Sequence, residues 1–366
     1  MAMETLSHPI ERARRPAPRG NKRGFTLVEI MVSIGVLLCI ILLVAQLVSS
    51  LSATTSNASK RSDSDNQARL IFSKMAADFA AISSRADVNY AFLSQNGNDS
   101  FYFYSEASGH ISSGDPAGTG ESTLSGVSLI GYRVSDGISG GARVELERLG
   151  LGLHWVDVSS QTGTSGQGRS VLFLPTLIRD AFSKTLANPN NNSSNPNTSN
   201  PSPWDVIGDQ VFRMEFCFLL KDGTFAVTPV IRNSGAKGNF AAAVAPQATD
   251  DASAGYAPGS RWYNAQSQVA YRCVRASTKA AFWTPLGLQD VKAVVVSLAL
   301  LHPKARATIQ VGALTRSIPL LPDFAGSPVI GSWTTAAGNA SVFKAGGMNP
   351  MTASSVRVYQ RFFYLN

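Results

Sequence analysis

A single apolar run constrains this chain more than any other feature. Phe25–Leu51 holds 27 residues and only one charged side chain, Glu29. As a helix it would be about 40 Å long, enough to cross a hydrocarbon core of roughly 30 Å. Core helices are rarely so long and apolar, and a cleaved secretory signal has an apolar core of only about 7–15 residues. We therefore predict a membrane-spanning helix over residues 25–51.

The segment before this run sets the orientation. Residues 1–24 contain six basic and two acidic side chains, which is half of the formal net charge of +8. By the positive-inside rule this segment stays in the cytoplasm and the rest of the chain lies outside it. The remaining excess of positive charge is small, so the overall charge does not favour nucleic acid as a partner.

Composition excludes several classes of protein. The chain is 44% hydrophobic and 15% charged, which is enough apolar material for a core and too little charge for a disordered polyampholyte or a coiled coil. Three Cys exclude a disulfide-dense scaffold and a four-Cys zinc site. Four scattered His argue against a His-based metal site, and we predict no metal and no cofactor.

The Glu29 carboxylate is energetically unfavourable at its position in the apolar run. A carboxylate inside a membrane costs roughly 2–3 kcal/mol or more, and such residues pair with a partner. The candidate partner in this segment is a free α-amino group at Phe25, which cleavage after Gly24 would create. The pairing could form within one chain or between neighbouring chains.

The sequence RGFTLVE, residues 23–29, resembles the class III signal of type IV prepilins and pseudopilins. In that family a membrane peptidase cleaves after the Gly and methylates the new N-terminal Phe. The resemblance implies a cleaved leader of residues 1–24, a cut between Gly24 and Phe25, and N-methylation of Phe25. It also implies that Glu29 neutralises the N-terminus of the adjacent subunit during assembly.

The same resemblance implies a function, a location and partners. The chain would be a non-enzymatic subunit of a type IV pilus or type II secretion pseudopilus. It would sit in the inner membrane as a single-pass protein with its C-terminal domain in the periplasm, and then enter the filament. Its partners would be prepilin peptidase, other pilin or pseudopilin subunits, the inner-membrane assembly platform and the lipid bilayer. A large ectodomain with long insertions suits a minor or tip position.

After the apolar run, residues 52–86 are predicted as an amphipathic helix. Ile71, Met75, Phe79 and Ile82 fall on one helical face. Arg69-Leu70, Asp78 and Arg85 resemble the L…D…R spacing of larger minor pseudopilins of the GspJ/PilW type. Ordinary surface charges on a helix are the alternative interpretation.

Residues 87–366 are predicted as a β-rich ectodomain, so the expected fold is α+β and pilin-like, with the helix packed on an antiparallel sheet. Runs of β-branched and aromatic residues predict strands at 101–107, 128–134, 142–149, 170–178, 211–220, 224–231, 291–301 and 356–366. Apolar side chains alternate with Arg213 and Glu215, which indicates a half-exposed strand. Residues 291–301 show no alternation, which leaves a buried strand or a short helix open.

Two polar stretches interrupt the strands. Residues 187–203 are an Asn/Pro/Ser-rich, low-complexity loop, and 233–262 are rich in Ala and Gly. Because the later strands can complete the same sheet, we expect one elaborated domain rather than two. The stretches SSRADVNYAF, SLIGYRV, GDQVFRMEFCFLLKDG and VYQRFFYLN resemble protein C of the Verru_Chthon cassette, a family of pilin-like proteins to which we attach no activity.

Candidate chemistry in the ectodomain is sparse. GISGG, residues 137–141, matches G-x-S-x-G but leads into a strand-like run, so a turn explains it better than a nucleophile elbow. His110, His154 and His302 have no evident partners, and the acidic pairs 63/65 and 250/251 lack calcium-loop spacing. Cys217 and Cys273 form a candidate disulfide in the exported domain, or are two buried apolar residues.

Two other classes of function compete with the subunit. A membrane-anchored periplasmic enzyme or binding protein could use the same signal for export, and would need a pocket with converging ionisable groups. A DNA-uptake subunit would need a basic surface stripe, for which the small net charge of the ectodomain gives little support.

Overall fold

The computed structural model describes residues 26–86, 88, 90–94, 96–107, 109–110, 124–125, 127–135, 143–152, 204–232 and 234–365. The chain divides into two compact units, Met1–Ala58 and Ser59–Asn366. Several predictions lie outside the described residues: the leader 1–24 with the cut site Gly24/Phe25, the 137–141 turn, His154, the 170–178 strand and the 187–203 loop.

The described helices differ greatly in length. They are α1 (Leu27–Ala80), α2 (Pro303–Thr308), α3 (Val311–Ser317), α4 (Ile330–Gly338), α5 (Ala340–Lys344) and α6 (Pro350–Ala353), with 3₁₀ turns at Ala252–Ala254 and Ile318–Leu320. The amphipathic part of α1 is confirmed, because Ile71, Met75 and Phe79 are fully buried on one face. Ile82 lies beyond the helix end and forms an isolated bridge with Ser105.

The strands follow in chain order. They are β1 (Tyr90–Leu93), β2 (Ser100–Ser105), β3 (Gly109–His110), β4 (Leu124–Ser125), β5 (Ser128–Val134), β6 (Leu146–Gly152), β7 (Trp204–Gly208), β8 (Val211–Leu220), β9 (Phe225–Ala226), β10 (Asn239–Ala242), β11 (Arg261–Asn264), β12 (Val269–Ser277), β13 (Ala280–Pro285), β14 (Val291–Leu300) and β15 (Arg357–Tyr364).

The described strands form three sheets. The first has the order β1-β2-β5-β6-β3-β4, with β7 also paired to β6. The second has the order β15-β14-β8-β9, and each of these pairs of strands is antiparallel. The third, β10-β11-β12-β13, is antiparallel apart from the β10–β11 pair. The α+β class and the antiparallel character of the ectodomain are therefore confirmed.

One continuous core joins the buried face of α1 to the first two sheets and to the helices near the C-terminus. Phe79 of α1 stacks between Phe103 of β2 and Phe363 of β15, with ring centroids 4.9 and 4.8 Å away. Aromatic pairs at this spacing add about 0.5–1.5 kcal/mol each beyond the area they bury. The helix thus holds strands from both sheets in place.

Residues 291–300 form one of the two inner strands of the second sheet, which decides between the two interpretations of that run. β14 lies between β8 and β15, and all its residues except Lys292 are buried. A strand covered on both faces needs apolar side chains on both, so it shows no alternation.

Three predictions about the ectodomain were wrong in detail. Residues 303–353 contain five short helices in a region expected to be β-rich. The polar region 233–262 contributes β10 and β11 to the third sheet, and the strand expected at 224–231 is reduced to β9. Arg213 and Glu215 are buried, so β8 is not half-exposed.

Candidate processing and assembly segment

Helix α1 begins with a capping interaction. The Thr26 hydroxyl accepts a hydrogen bond from the Glu29 amide at 3.3 Å, and the Thr26 carbonyl accepts one from Ile30 at 3.2 Å. Thr26-Leu27-Val28-Glu29 has the T-x-x-E pattern of a capping box, a signal from which this cap could have been predicted. The cap fixes the helix start next to the predicted cut site and places Glu29 in the first turn.

The first half of α1 exposes a continuous apolar surface. Leu27–Ser52 is long and apolar enough to cross a membrane, and none of its side chains is buried within the chain. The Ser33 hydroxyl is satisfied by the Glu29 carbonyl at 2.7 Å, and Ser50 by the Leu47 carbonyl at 3.0 Å. A surface of this size requires lipid or other apolar helices around it.

The Glu29 carboxylate is exposed on this apolar surface. A carboxylate in the first turn gains about 0.3–1 kcal/mol from the helix dipole. Placing it within a bilayer costs roughly 2–3 kcal/mol or more. The dipole therefore does not offset the cost, and the carboxylate gains from pairing with a cation.

Residues 19–45 match the prokaryotic N-terminal methylation motif. The matched stretch includes Gly24, Phe25 and Glu29 and ends within the apolar helix. Comparison with curated proteins and with solved structures gave no significant match. No relative therefore contributes to the description of the globular unit.

The motif implies processing by prepilin peptidase and assembly into a pilus or pseudopilus. Together with the apolar helix, it indicates a prepilin anchored in the inner membrane. A long apolar N-terminal helix is followed along the chain by antiparallel sheets, which is a pilin-like arrangement. Proteins with this motif are typically structural subunits rather than enzymes.

The loose L…D…R pattern on α1 contains one residue with a structural role. Asp78 is 3% exposed and accepts two hydrogen bonds from Arg148 of β6, at 2.6 and 2.7 Å, and one from the Tyr132 hydroxyl of β5. Burial raises the pKa of Tyr132, and the neighbouring Asp78 carboxylate raises it further. Asp78 is therefore not an ordinary surface charge; it ties α1 to the first sheet.

A second buried network surrounds Arg213. Its guanidinium contacts Glu215 at 2.7 Å, Asp323 and the Gly97 carbonyl. Glu215 also accepts a hydrogen bond from the Phe324 amide at 2.8 Å. Burial raises the pKa of Glu215. This network joins β8 to two loops more than a hundred residues away in sequence.

The side chains considered for metal or catalytic chemistry can be placed one by one among the described residues. No group of three or more His, Cys, Asp or Glu side chains within them could hold a metal ion. His302 caps α2 through a hydrogen bond from the Lys304 amide, and its other nitrogen lies 3.6 Å from Asp63. Asp251 caps a 3₁₀ turn, where hydrogen bonds from Ser253 lower its pKa. These side chains have structural roles.

Cys217 and Cys273 are not joined in the structure. Both thiols are free and buried, Cys217 in β8 of the second sheet and Cys273 in β12 of the third. Burial raises the pKa of Cys217 to about 12. The structure thus matches the second interpretation of the pair, two small apolar residues in the core.

Proposed function

We propose that this chain is a prepilin-type subunit that is cut between Gly24 and Phe25 and methylated at Phe25. The apolar helix of the mature chain then moves from the inner membrane into the helix bundle of a type IV pilus or a type II secretion pseudopilus. The observation that carries this proposal is the register of the methylation motif with the start of a fully exposed apolar helix.

In this proposal Glu29 selects the correct register. Inside lipid its charge is costly, and beside the N-terminal amine of a neighbouring subunit the cost is relieved. A subunit that enters the bundle one turn out of register leaves the carboxylate unpaired. Assembly is therefore favoured only where a carboxylate and an amine meet.

We further propose a minor or tip position. The globular unit extends from Ser59 to Asn366 and adds a third sheet and several helices to the first two sheets. Such bulk would crowd a close-packed shaft but is tolerated at low copy number or at a filament end. Quantitative mass spectrometry of purified filaments is expected to find far fewer copies of this chain than of the principal subunit, and equal copy numbers would contradict this position.

The assembly step is tested by changing Glu29 to Gln, Leu and Asp. Glu29→Gln and Glu29→Leu remove the charge and are expected to insert and be processed, but to enter filaments at least about tenfold less well. Glu29→Asp keeps a carboxylate and is expected to retain part of the incorporation. The readout is the amount of mature chain in sheared filaments relative to the membrane fraction.

Ser33→Ala is the matched control, because Ser33 lies one turn further along α1 and its hydroxyl is already bonded to the Glu29 carbonyl. It is expected to assemble normally. Normal incorporation of Glu29→Leu would remove the proposed role of Glu29. Failure of all variants to be processed would instead place the defect at cleavage.

A further inference from the structure

The third sheet carries an uneven share of the charge. Residues 232–285 contain six basic and two acidic side chains, an excess of four. Residues 25–366 as a whole have the same excess of four, since the leader holds the other half of the net charge of +8. The remainder of the exported chain is thus neutral overall, and the excess lies in the segment that forms the third sheet. Three of its six basic residues, Arg261, Arg272 and Arg275, lie in the strands.

Strand pairing places two of these cations on one face. Arg272 of β12 lies opposite Thr284 of β13, and Arg275 lies opposite Phe282. Paired residues share a face, and Thr284 and Phe282 are two residues apart, so all four share it. The bulge between positions 273 and 275 brings both arginines to this side. Arg272, Arg275 and Phe282 are exposed, Phe282 by 53%.

The opposite face of the sheet is closed by the chain itself. Trp262 and Trp283 pack there against Tyr256, with ring centroids 5.4 to 5.8 Å apart. Both indole nitrogens donate to backbone carbonyls, those of Val244 and Asp250. The arginine face is covered where Tyr263 and Ala270 pack with Val230 and Leu286. It is open around Arg272, Arg275 and Phe282.

The face continues into a cleft. A cavity of about 360 Å³ is lined by Arg272, Lys221, Gln289 and Asp290, among others. Asp290 is already neutralised by Arg261, which contacts it at 2.7 and 3.0 Å. The described part of the chain places no carboxylate within ion-pair distance of Lys221, Arg272 or Arg275. Arg272 thus belongs both to the sheet face that carries Arg275 and Phe282 and to the cavity that Lys221 lines.

We propose that this surface, made of Lys221, Arg272, Arg275 and Phe282, binds a single-stranded nucleic acid. The three cations contact backbone phosphates, and Phe282 stacks on a base. A polymer of carboxylates would pair with the cations but has no aromatic group to stack on Phe282. A membrane surface would require a larger apolar insertion than one ring and the neighbouring Val274 provide.

The proposal does not depend on filament assembly, and it is tested with the full chain purified in detergent. The probe is a fluorescein-labelled oligothymidine, and its anisotropy is measured at several KCl concentrations. For three phosphate contacts the logarithm of the binding constant is expected to fall with the logarithm of salt with a slope of about −2. The double variant Arg272→Glu/Arg275→Glu is expected to weaken binding at least about tenfold and to flatten this slope.

Two further variants separate specific binding from general charge. Lys304→Glu/Lys344→Glu makes the same change in net charge on exposed residues of α2 and α5, and is expected to change affinity by less than about twofold. Phe282→Ala is expected to weaken binding about tenfold, and Phe282→Trp to retain it. Unchanged circular dichroism and melting temperature show that these surface variants are folded.

Several results would overturn the proposal. Equal losses in the control and the Arg272/Arg275 variants would show that only net charge matters. An unchanged affinity in Phe282→Ala, with polyglutamate competing as well as oligothymidine, would assign the surface to an acidic protein partner. Stronger binding to vesicles containing phosphatidylglycerol than to the oligonucleotide would assign it to a lipid surface.

Discussion

Replacing Asp78 with asparagine tests the contact that joins α1 to the first sheet. The carboxylate is buried, and its two oxygens accept hydrogen bonds from Arg148 at 2.6 and 2.7 Å. Asparagine has nearly the same shape, so the substitution leaves no cavity. It removes the charge, and Arg148, which is only 8% exposed, is left as a buried cation without the carboxylate that pairs with it.

The structure sets the size of the effect. Breaking a buried ion pair by removing one partner costs about 3–5 kcal/mol, because the other charge stays desolvated. The Tyr132 hydroxyl also loses a carboxylate acceptor, and the cost of this loss is included in the roughly 3–5 kcal/mol. For a globular unit of this size, 1 kcal/mol corresponds to roughly 2 °C, so the melting temperature is expected to fall by about 6–10 °C.

Thermal unfolding of the full chain in detergent, followed by circular dichroism of the β-rich unit, measures this shift. Glu106→Gln is the matched control, since Glu106 is exposed just after β2 and the loss of its charge should cost less than about 0.5 kcal/mol. Adding Arg148→Met to Asp78→Asn removes the stranded cation and is expected to recover part of the loss. A fall no larger than that of the control would refute the reasoning.

Two further predictions concern the core and a loop. Burial raises the pKa of Cys217 to about 12 and also raises that of Cys273, so iodoacetamide at pH 8 should leave both thiols unmodified in the folded chain. After denaturation without reductant, both should be alkylated. If alkylation after denaturation requires a reductant, the two residues form a disulfide. Gly287→Ala should destabilise by about 1–3 kcal/mol, because Gly287 has φ of +54° and a Cβ there would lie 2.7 Å from the Arg85 carbonyl oxygen. Gly326→Ala, at φ of +95° with open space around it, separates backbone strain from this steric clash: if it lowers the melting temperature as much as Gly287→Ala does, the clash contributes nothing.

The strands that could be predicted best are those whose side chains are dictated by local burial. The run 211–220 coincides with β8 and the run 128–134 with β5. Both are dense in aromatic and β-branched residues and are bounded by turn-forming residues, so neighbours in sequence carry the signal. The face of α1 was predictable for the same reason, since helical periodicity depends only on spacing.

Arg213 and Glu215 show where local patterns fail. Alternating charge on a strand normally indicates a solvent-facing side. Here the charges compensate one another and meet Asp323 and the Gly97 carbonyl, which come from distant parts of the chain. A pattern of a few residues contains no information about such partners, so the burial of these charges could not be predicted.

The short helices between residues 303 and 353 were missed for a related reason. They are four to nine residues long, which is too short for a periodic signal, and isolated helices of that length are unstable. Their apolar side chains, such as Trp333 and Phe343, are buried against the common core. Tertiary packing rather than propensity forms them.

The candidate site depends least on the fold, because it is contiguous in sequence, and its cleavage, methylation and pairing stay predictions. The processing signal, Glu29 and the apolar run follow one another within residues 23–51, and their chemistry does not depend on folding. By contrast, the basic face of the third sheet could not be predicted from net charge, since averaging over the chain hides the clustering of Arg272 and Arg275.

The most direct test of the central claim is the N-terminal mass of the protein purified from its native membrane, with and without the prepilin peptidase. The account predicts a mature chain that begins with N-methyl-Phe25 when the peptidase is present, and an uncut leader when it is absent. An intact N-terminus in both strains would contradict the account and make this chain a simple membrane-anchored protein.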